Sequence, residues 1–367
     1  MDLLTRDQTT SYVPPNDVIK TSAPEMKVNY TIFCLYSVGS ANEKLALQIM
    51  TCYANPALAI VGFSANMLCI EILRRSGLRK PSNIFLLSLV VADSMSQLQS
   101  MNFGEVLMFW GPDQKHSELC GWQYGETVDF FLFVSTVVIY VLGGLGGCVN
   151  TFVPVLITAE RMIAVFFPIT FKKIVTTKTA VVAAFMAYAV WIPWVLTFST
   201  LYQFYRIPIY NKDYYSFVAL GMKYFKNRPL YDLLNHYVFQ VFSSWVPVAI
   251  VSVGCTFIGV KVFYTLRLRK RMTSKNISIH WSPRTTRTLL LTCLVFTVTN
   301  LSISFLNFYI LSGFKQNIWF LIGSEITYFI TLIGSSSNFF VYITSNRKLM
   351  KIFLDIIHFR KHTSAVF

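Results

Sequence analysis

Seven stretches of this chain are long and apolar enough to cross a bilayer, roughly 48–73, 83–110, 127–162, 178–203, 236–265, 286–312 and 318–343. A helix needs about 20 predominantly apolar residues to cross the hydrocarbon core, and lipid leaves a helix or a closed barrel as the only spanning structures. The expected fold is an all-α membrane protein, one seven-transmembrane helix bundle. Composition agrees, because only 13% of residues are charged where soluble domains carry roughly a quarter. The formal charge of +15 raises nucleic acid as a partner. The basic residues flank apolar stretches and do not lie among stacking aromatics, so no nucleic acid is expected.

Orientation follows from where Lys and Arg collect. They cluster after the first stretch (Arg74, Arg75, Arg79, Lys80), after the third (Lys172, Lys173), between the fifth and sixth (Arg267, Arg269, Lys270, Arg271), and in the tail (Arg347, Lys348, Lys351). That side is read as cytoplasmic. Residues 1–47 then form an extracellular segment, 48–343 the membrane domain and 344–367 a cytoplasmic tail, in the plasma membrane. The sequon Asn29-Tyr30-Thr31 agrees as a glycosylation site, although Asn276-Ile277-Ser278 also matches and falls on the inner side. The first 45 residues hold no short apolar core with a small-residue cleavage site, so no removable signal peptide is expected. Cys34 and Cys120 are the cysteines placed outside, and a Cys34–Cys120 disulfide is the pairing open to them. In the tail, Leu349, Ile352, Phe353, Ile356 and Ile357 share a face opposite Arg347, Lys348 and Lys351, which predicts a short amphipathic helix along the inner membrane surface.

Ionisable groups inside lipid cost about 2.5–3.5 kcal/mol each on insertion scales and so should face the bundle interior. Asp93 lies in the middle of the second stretch. Asn66, Asn150, Ser335, Ser336 and Asn338 fall within reach of it in a bundle, and together they could hold water or a sodium ion. The plainer reading of each alone is a hydrogen bond between neighbouring helices. Glu160-Arg161-Met162 closes the third stretch. Arg161 could pair with Glu160 at rest and turn toward a partner protein; standing alone it would read as an arginine snorkelling to the interface.

These residues, taken in order, resemble the rhodopsin-like family of G-protein-coupled receptors over about residues 50–358. Gly62-Phe63-Ser64-Ala65-Asn66 is similar to the family's GxxxN, Leu89-Val90-Val91-Ala92-Asp93 to its LxxxD, and Glu160-Arg161-Met162 to its DRY motif. Pro168, Trp191 and Pro247 fall at family positions, and Asn338-Phe339-Phe340-Val341-Tyr342 is an NPxxY variant without its proline. The resemblance implies a ligand-shifted equilibrium in which the sixth span swings out to admit a heterotrimeric G protein. It implies that Glu160, Arg161 and Tyr342 serve coupling, with Phe296 at the inner aromatic position of the sixth span. It also implies that Asp93, Asn150 and Asn338 form an ion-linked switch. The chain departs from the family where CWxP is replaced by Thr299-Asn300-Leu301-Ser302, and residues 149–254 lack the cysteine of the usual outer disulfide.

Counting back from Arg161, Gly143 stands where amine receptors carry an aspartate, and Leu332 where opsins carry the retinal lysine. An ammonium ligand would lack its counter-ion, and a light sensor is excluded. The segment 203–235 is aromatic, with two β-prone runs about Asn211-Lys212-Asp213 that predict a hairpin similar to that of peptide receptors. A peptide is the leading expectation for the ligand and a small chemical cue the alternative. Gly143, Glu105 and Glu325 are the candidate ligand-facing residues; Glu105, Glu126, Asp129 and Glu325 could meet a basic ligand, with solvated interface charges the plainer reading of all four. No other cofactor is expected, and no catalytic pair or HExxH motif points to an enzyme. A transporter or channel is the competing class, argued against by the lack of similarity between halves.

Overall fold

The computed structural model describes residues 40–101, 103–109, 122, 124–208, 214–272, 291, 294–306, 318–345 and 349–356. Asn29, Cys34 and Cys120 lie outside them, as does the turn Asn211-Lys212-Asp213. Helix α1 runs Ala41–Ser76, α2 Pro81–Ser100, α3 Phe103–Phe109, α4 Glu126–Phe166, α5 Pro168–Ile174 and α6 Thr177–Ser199. Strands β1 (Tyr202–Pro208) and β2 (Tyr214–Leu220) pair antiparallel, Tyr202 opposite Leu220, so the predicted hairpin forms. Short helices α7 (Met222–Lys226) and α8 (Arg228–Leu233) lead into α9, which opens with π-helical segments Leu234–Phe239 and Val241–Trp245 and continues as Val246–Met272. Helix α10 covers Leu294–Leu306, α11 Ile318–Ser345 and α12 residues 349–356.

Prolines shape these helices. A π-helical turn at Met50–Ala54 precedes Pro56, the π-helical entry of α9 precedes Pro247, and α6 breaks at Val190–Trp191 before Pro193. In each case the wider or interrupted turn takes up the carbonyl that a proline ring would strike. Prolines Pro81 and Pro168 instead start α2 and α5, where the missing N–H costs nothing. Helix α1 starts at Ala41 and not near residue 48, because Ser40 and Glu43 form a capping box. The segment 200–203 belongs to a turn and β1, so the fourth helix stops at Ser199 and not at 203.

Among the described residues five helices are long and apolar enough to cross a membrane: Ala41–Ser76, Glu126–Phe166, Thr177–Ser199, Tyr237–Thr265 and Leu321–Thr344. Of the remaining two expected crossings, the sixth is described as the shorter apolar helix α10. The second is divided between α2 and α3, and α2 is polar for its 20 residues, because Asp93, Ser94 and Gln97 sit buried at the centre of the bundle. Large apolar side chains point outward, among them Phe131, Phe185 and Phe263, each 68% exposed. Such a surface is stable in lipid and costly in water.

The core lies where α2 meets α1, α4, α6 and α11. Leu89 and Val90 of α2 pack with Val149 and Val153 of α4, Ala184 of α6 and Phe339 of α11. Helix α12 folds back on this core, with Leu349 buried and Phe353 edge-on to Phe339 at 5.9 Å. The apolar face predicted for the tail is therefore packed against the core at Leu349, Ile352, Phe353 and Ile356, while Ile357 lies outside the described residues.

Candidate ligand cavity and switch residues

The glycine run Gly143-Gly144-Leu145-Gly146-Gly147 lets α4 approach α2 closely. A Cβ on Gly146 would lie 2.6 Å from the Ala92 carbonyl oxygen and 2.8 Å from the Ser96 amide nitrogen, so the two backbones are in contact. One turn away, the space a Gly143 side chain would fill is taken by Gln99 of α2, whose Cβ lies 2.3 Å from that point. Beside this seam opens a cavity of about 500 Å³ among α2, α4, the π-helical entry of α9, α10 and α11. Gly143, Asn150, Phe296, Ser335 and Asn338, five of the residues singled out in the sequence, line it. Thr299 and Asn300, at the departure from CWxP, line it too.

The polar cluster expected around Asp93 divides in two. Asp93 is fully buried and accepts one hydrogen bond, from Asn338 Nδ2 at 3.1 Å, while its Oδ1 has no protein partner. Asn66 does not bond to Asp93. It donates to Gln97 Oε1 at 2.9 Å, and Gln97 Nε2 donates to Ser335 Oγ at 3.1 Å. Gln97 is four residues after Asp93, one turn along the same face of α2, and its longer side chain intercepts Asn66 and Ser335. Sequence reasoning passed over it, although a buried glutamine one turn from a buried aspartate carries the same signal. Asn150 faces the cavity and not the carboxylate.

At the far end of α4, Glu160 is buried and Arg161 partly exposed. Their charged groups stand 4.0 Å apart at Glu160 Oε2, outside hydrogen-bond range. The link between them is Ser82 of α2, whose hydroxyl donates to Glu160 Oε1 at 2.7 Å and accepts from Arg161 Nη2 at 3.1 Å. The resting pair expected from the sequence is present as a loose ion pair at 4.0 Å, reinforced by a serine bridge. Tyr342 is buried nearby in the core, packed with Phe339 and Ile343 in the same cluster. Ser82 escaped notice because a serine two positions into a helix reads as capping.

The acids at the Glu126 end do not behave alike. Glu325 does not line the cavity. It is buried, and its Oε2 accepts from Asn55 Nδ2 of α1 at 2.6 Å, a donor that offsets the cost of taking the carboxyl out of water. Glu105 lies in α3. Asp129 is buried and not solvated: its Oδ2 accepts from Ser216 Oγ at 2.6 Å and its Oδ1 from the Tyr124 amide at 3.1 Å. Ser216 also exchanges backbone hydrogen bonds with Trp122, and Glu126 pairs with Arg206 of β1. Tyr202 stacks on Tyr140 with ring centroids 6.1 Å apart. The hairpin is therefore clamped to the start of α4 without a disulfide between them. No protein-family model matches the chain, and no curated protein matches it in sequence.

Proposed function

We propose that the chain is a G-protein-coupled receptor of seven spans, with its amino end outside the plasma membrane and its carboxyl end in the cytoplasm. It passes the binding of an extracellular ligand to a heterotrimeric G protein. The observation that carries this reading is that one helix, α4, bears both working ends. Gly143 lines the cavity, and eighteen residues on, about 27 Å along the helix, Arg161 is held by a serine bridge and a loose ion pair with Glu160. A ligand that prefers one bundle shape changes the population of that shape, and the bridge at Ser82 is weak enough to be exchanged for contacts with a partner.

The cavity favours a small chemical cue over a peptide, because a volume near 500 Å³ matches a drug-sized molecule. A sodium ion fits the Asp93 region: Asp93 Oδ1, Asn66 Oδ1 and Ser336 Oγ are buried oxygens without protein partners, and hard cations take oxygen donors. Those residues would hold it.

The test is G-protein activation in cells expressing the chain, beside an Arg161→Ala variant, challenged with a library of small odorants and neuropeptides. A response present in the parent and lost in the variant is expected. Surface-expressed protein that is silent to every cue, or a current or flux that survives in Arg161→Ala, refutes the receptor reading in favour of a channel or transporter.

A further inference from the structure

We infer that the cavity takes an uncharged small molecule carrying both hydrogen-bond donors and acceptors, read by a ring of side-chain amides. This rests on the receptor reading only for its biological meaning, since binding itself needs no G protein. Amides converge on the cavity from every helix that walls it: Gln99 from α2, Asn150 from α4, Gln240 from the π-helical entry of α9, Asn300 from α10 and Asn338 from α11. Each primary amide offers two donors and a carbonyl acceptor. Asn300 directs its Nδ2 to the Phe296 carbonyl at 3.0 Å and Asn338 its own to Asp93, which leaves both of their carbonyl oxygens for a guest.

The hydroxyls of the wall are spent differently. Thr299, Thr327 and Thr331 each donate to a carbonyl four residues back on their own helix, which turns their oxygens into acceptors toward the cavity. The wall thus presents many acceptors, with donors concentrated on Gln99, Asn150 and Gln240. Among the described residues no Asp, Glu, Lys, Arg or His lines the cavity. An ion entering it would leave water with no counter-charge in the wall itself, the Asp93 carboxylate standing behind Asn338, a cost that hydrogen bonds to amides alone do not repay. A neutral alcohol, ketone, lactone or amide meets no such cost.

The experiment uses the purified full chain in lipid nanodiscs and reads its melting temperature. The probes are drug-sized neutral alcohols, ketones, lactones and amides, each beside an amine and a carboxylate of matching size. We expect a rise in melting temperature that grows with the logarithm of concentration for neutral members, and none for their charged counterparts. Gln240→Leu should weaken that binding about tenfold. Gln99→Leu is the second variant should that protein fail to fold. Stabilisation by charged members, no stabilisation by any member, or neutral binding that both variants leave unchanged would overturn the inference. Neutral binding without G-protein activation would leave the inference standing and sink the receptor reading. Signalling by a charged cue that Gln99→Leu leaves untouched would do the reverse.

Discussion

The glycines of α4 allow a prediction with its own controls. Replacing Gly146 by alanine puts a methyl carbon 2.6 Å from a backbone oxygen of Ala92, about 0.8 Å inside ordinary van der Waals contact. Backbone cannot rotate away as a side chain can, so α2 and α4 must part by a comparable distance. A gap of 0.5–1 Å forfeits a quarter to a half of each contact's well depth of roughly 0.1–0.2 kcal/mol. Over a few tens of atom pairs along this seam the loss comes to about 1–2 kcal/mol, within the usual 1–3 kcal/mol range for overpacking. Gly147→Ala meets nothing within 4 Å, and Gly144→Ala meets only Val195 at 3.6 Å; both should hold or slightly raise stability, since alanine favours helix over glycine by up to about 1 kcal/mol. The buried thiol of Cys69 supplies the assay in a background where the other cysteines are replaced by serine or alanine, because a thiol-reactive dye then reaches it only as the bundle opens on heating. A Gly146→Ala protein that melts together with Gly147→Ala would show that the two backbones are not in contact.

Three further outcomes follow from the polar contacts. Asp129→Ala should cost about 1–3 kcal/mol, because Ser216 and the Tyr124 amide lose their acceptor; limited proteolysis between β1 and β2 should accelerate, and an unchanged cleavage rate would count against the clamp. Glu325→Leu removes the carboxylate acceptor from Asn55 Nδ2, leaving it only the Glu325 carbonyl at 3.3 Å, and should lower the melting temperature by the equivalent of about 1–3 kcal/mol, whereas Glu325→Gln keeps an acceptor and should lose less; equal losses would argue against that bond. Thermal stability should rise when sodium replaces a bulky organic cation at constant ionic strength, and Asp93→Asn should abolish the difference; a difference that persists in that variant would place the ion elsewhere.

Much of this architecture was legible in apolar length and in punctuation by proline. The stretches at α1, α4, α6, α9 and α11 follow from runs of apolar residues that no soluble core would need, and the hairpin from aromatic, β-prone runs about a polar turn. Where the reading missed, reach was the cause. A sequence places Asn66, Asp93, Gln97 and Ser335 at compatible depths but does not say which side chain gets there first, and the extra methylene of Gln97 decides it. Similarly, Asp129 and Glu126 lie three residues apart on one helix, yet one is buried under β2 and the other exposed. That difference depends on a strand whose Ser216 lies 87 residues further along the chain. The capping box at Ser40 and Glu43 was there to be seen and was overlooked, which moved the start of α1.

The Gln97 bridge also has a mechanical meaning. Asn66, Gln97 and Ser335 lace α1, α2 and α11 together, Asn338 and Asn55 add two more ties, and the Gly146 contact locks α4 to α2. Between α9 and α10 the described polar ties are the hydroxyl pairs Ser244–Ser304 and Ser252–Thr297. The bundle is thus a chassis of four helices tied by buried amides, carrying a pair joined to each other through hydroxyls, with Val251 and Ile258 of α9 packed into the core. Amide hydrogen exchange should find the pair opening at lower free energy than the chassis, and whatever enters between them acts as a wedge with only one side free to yield.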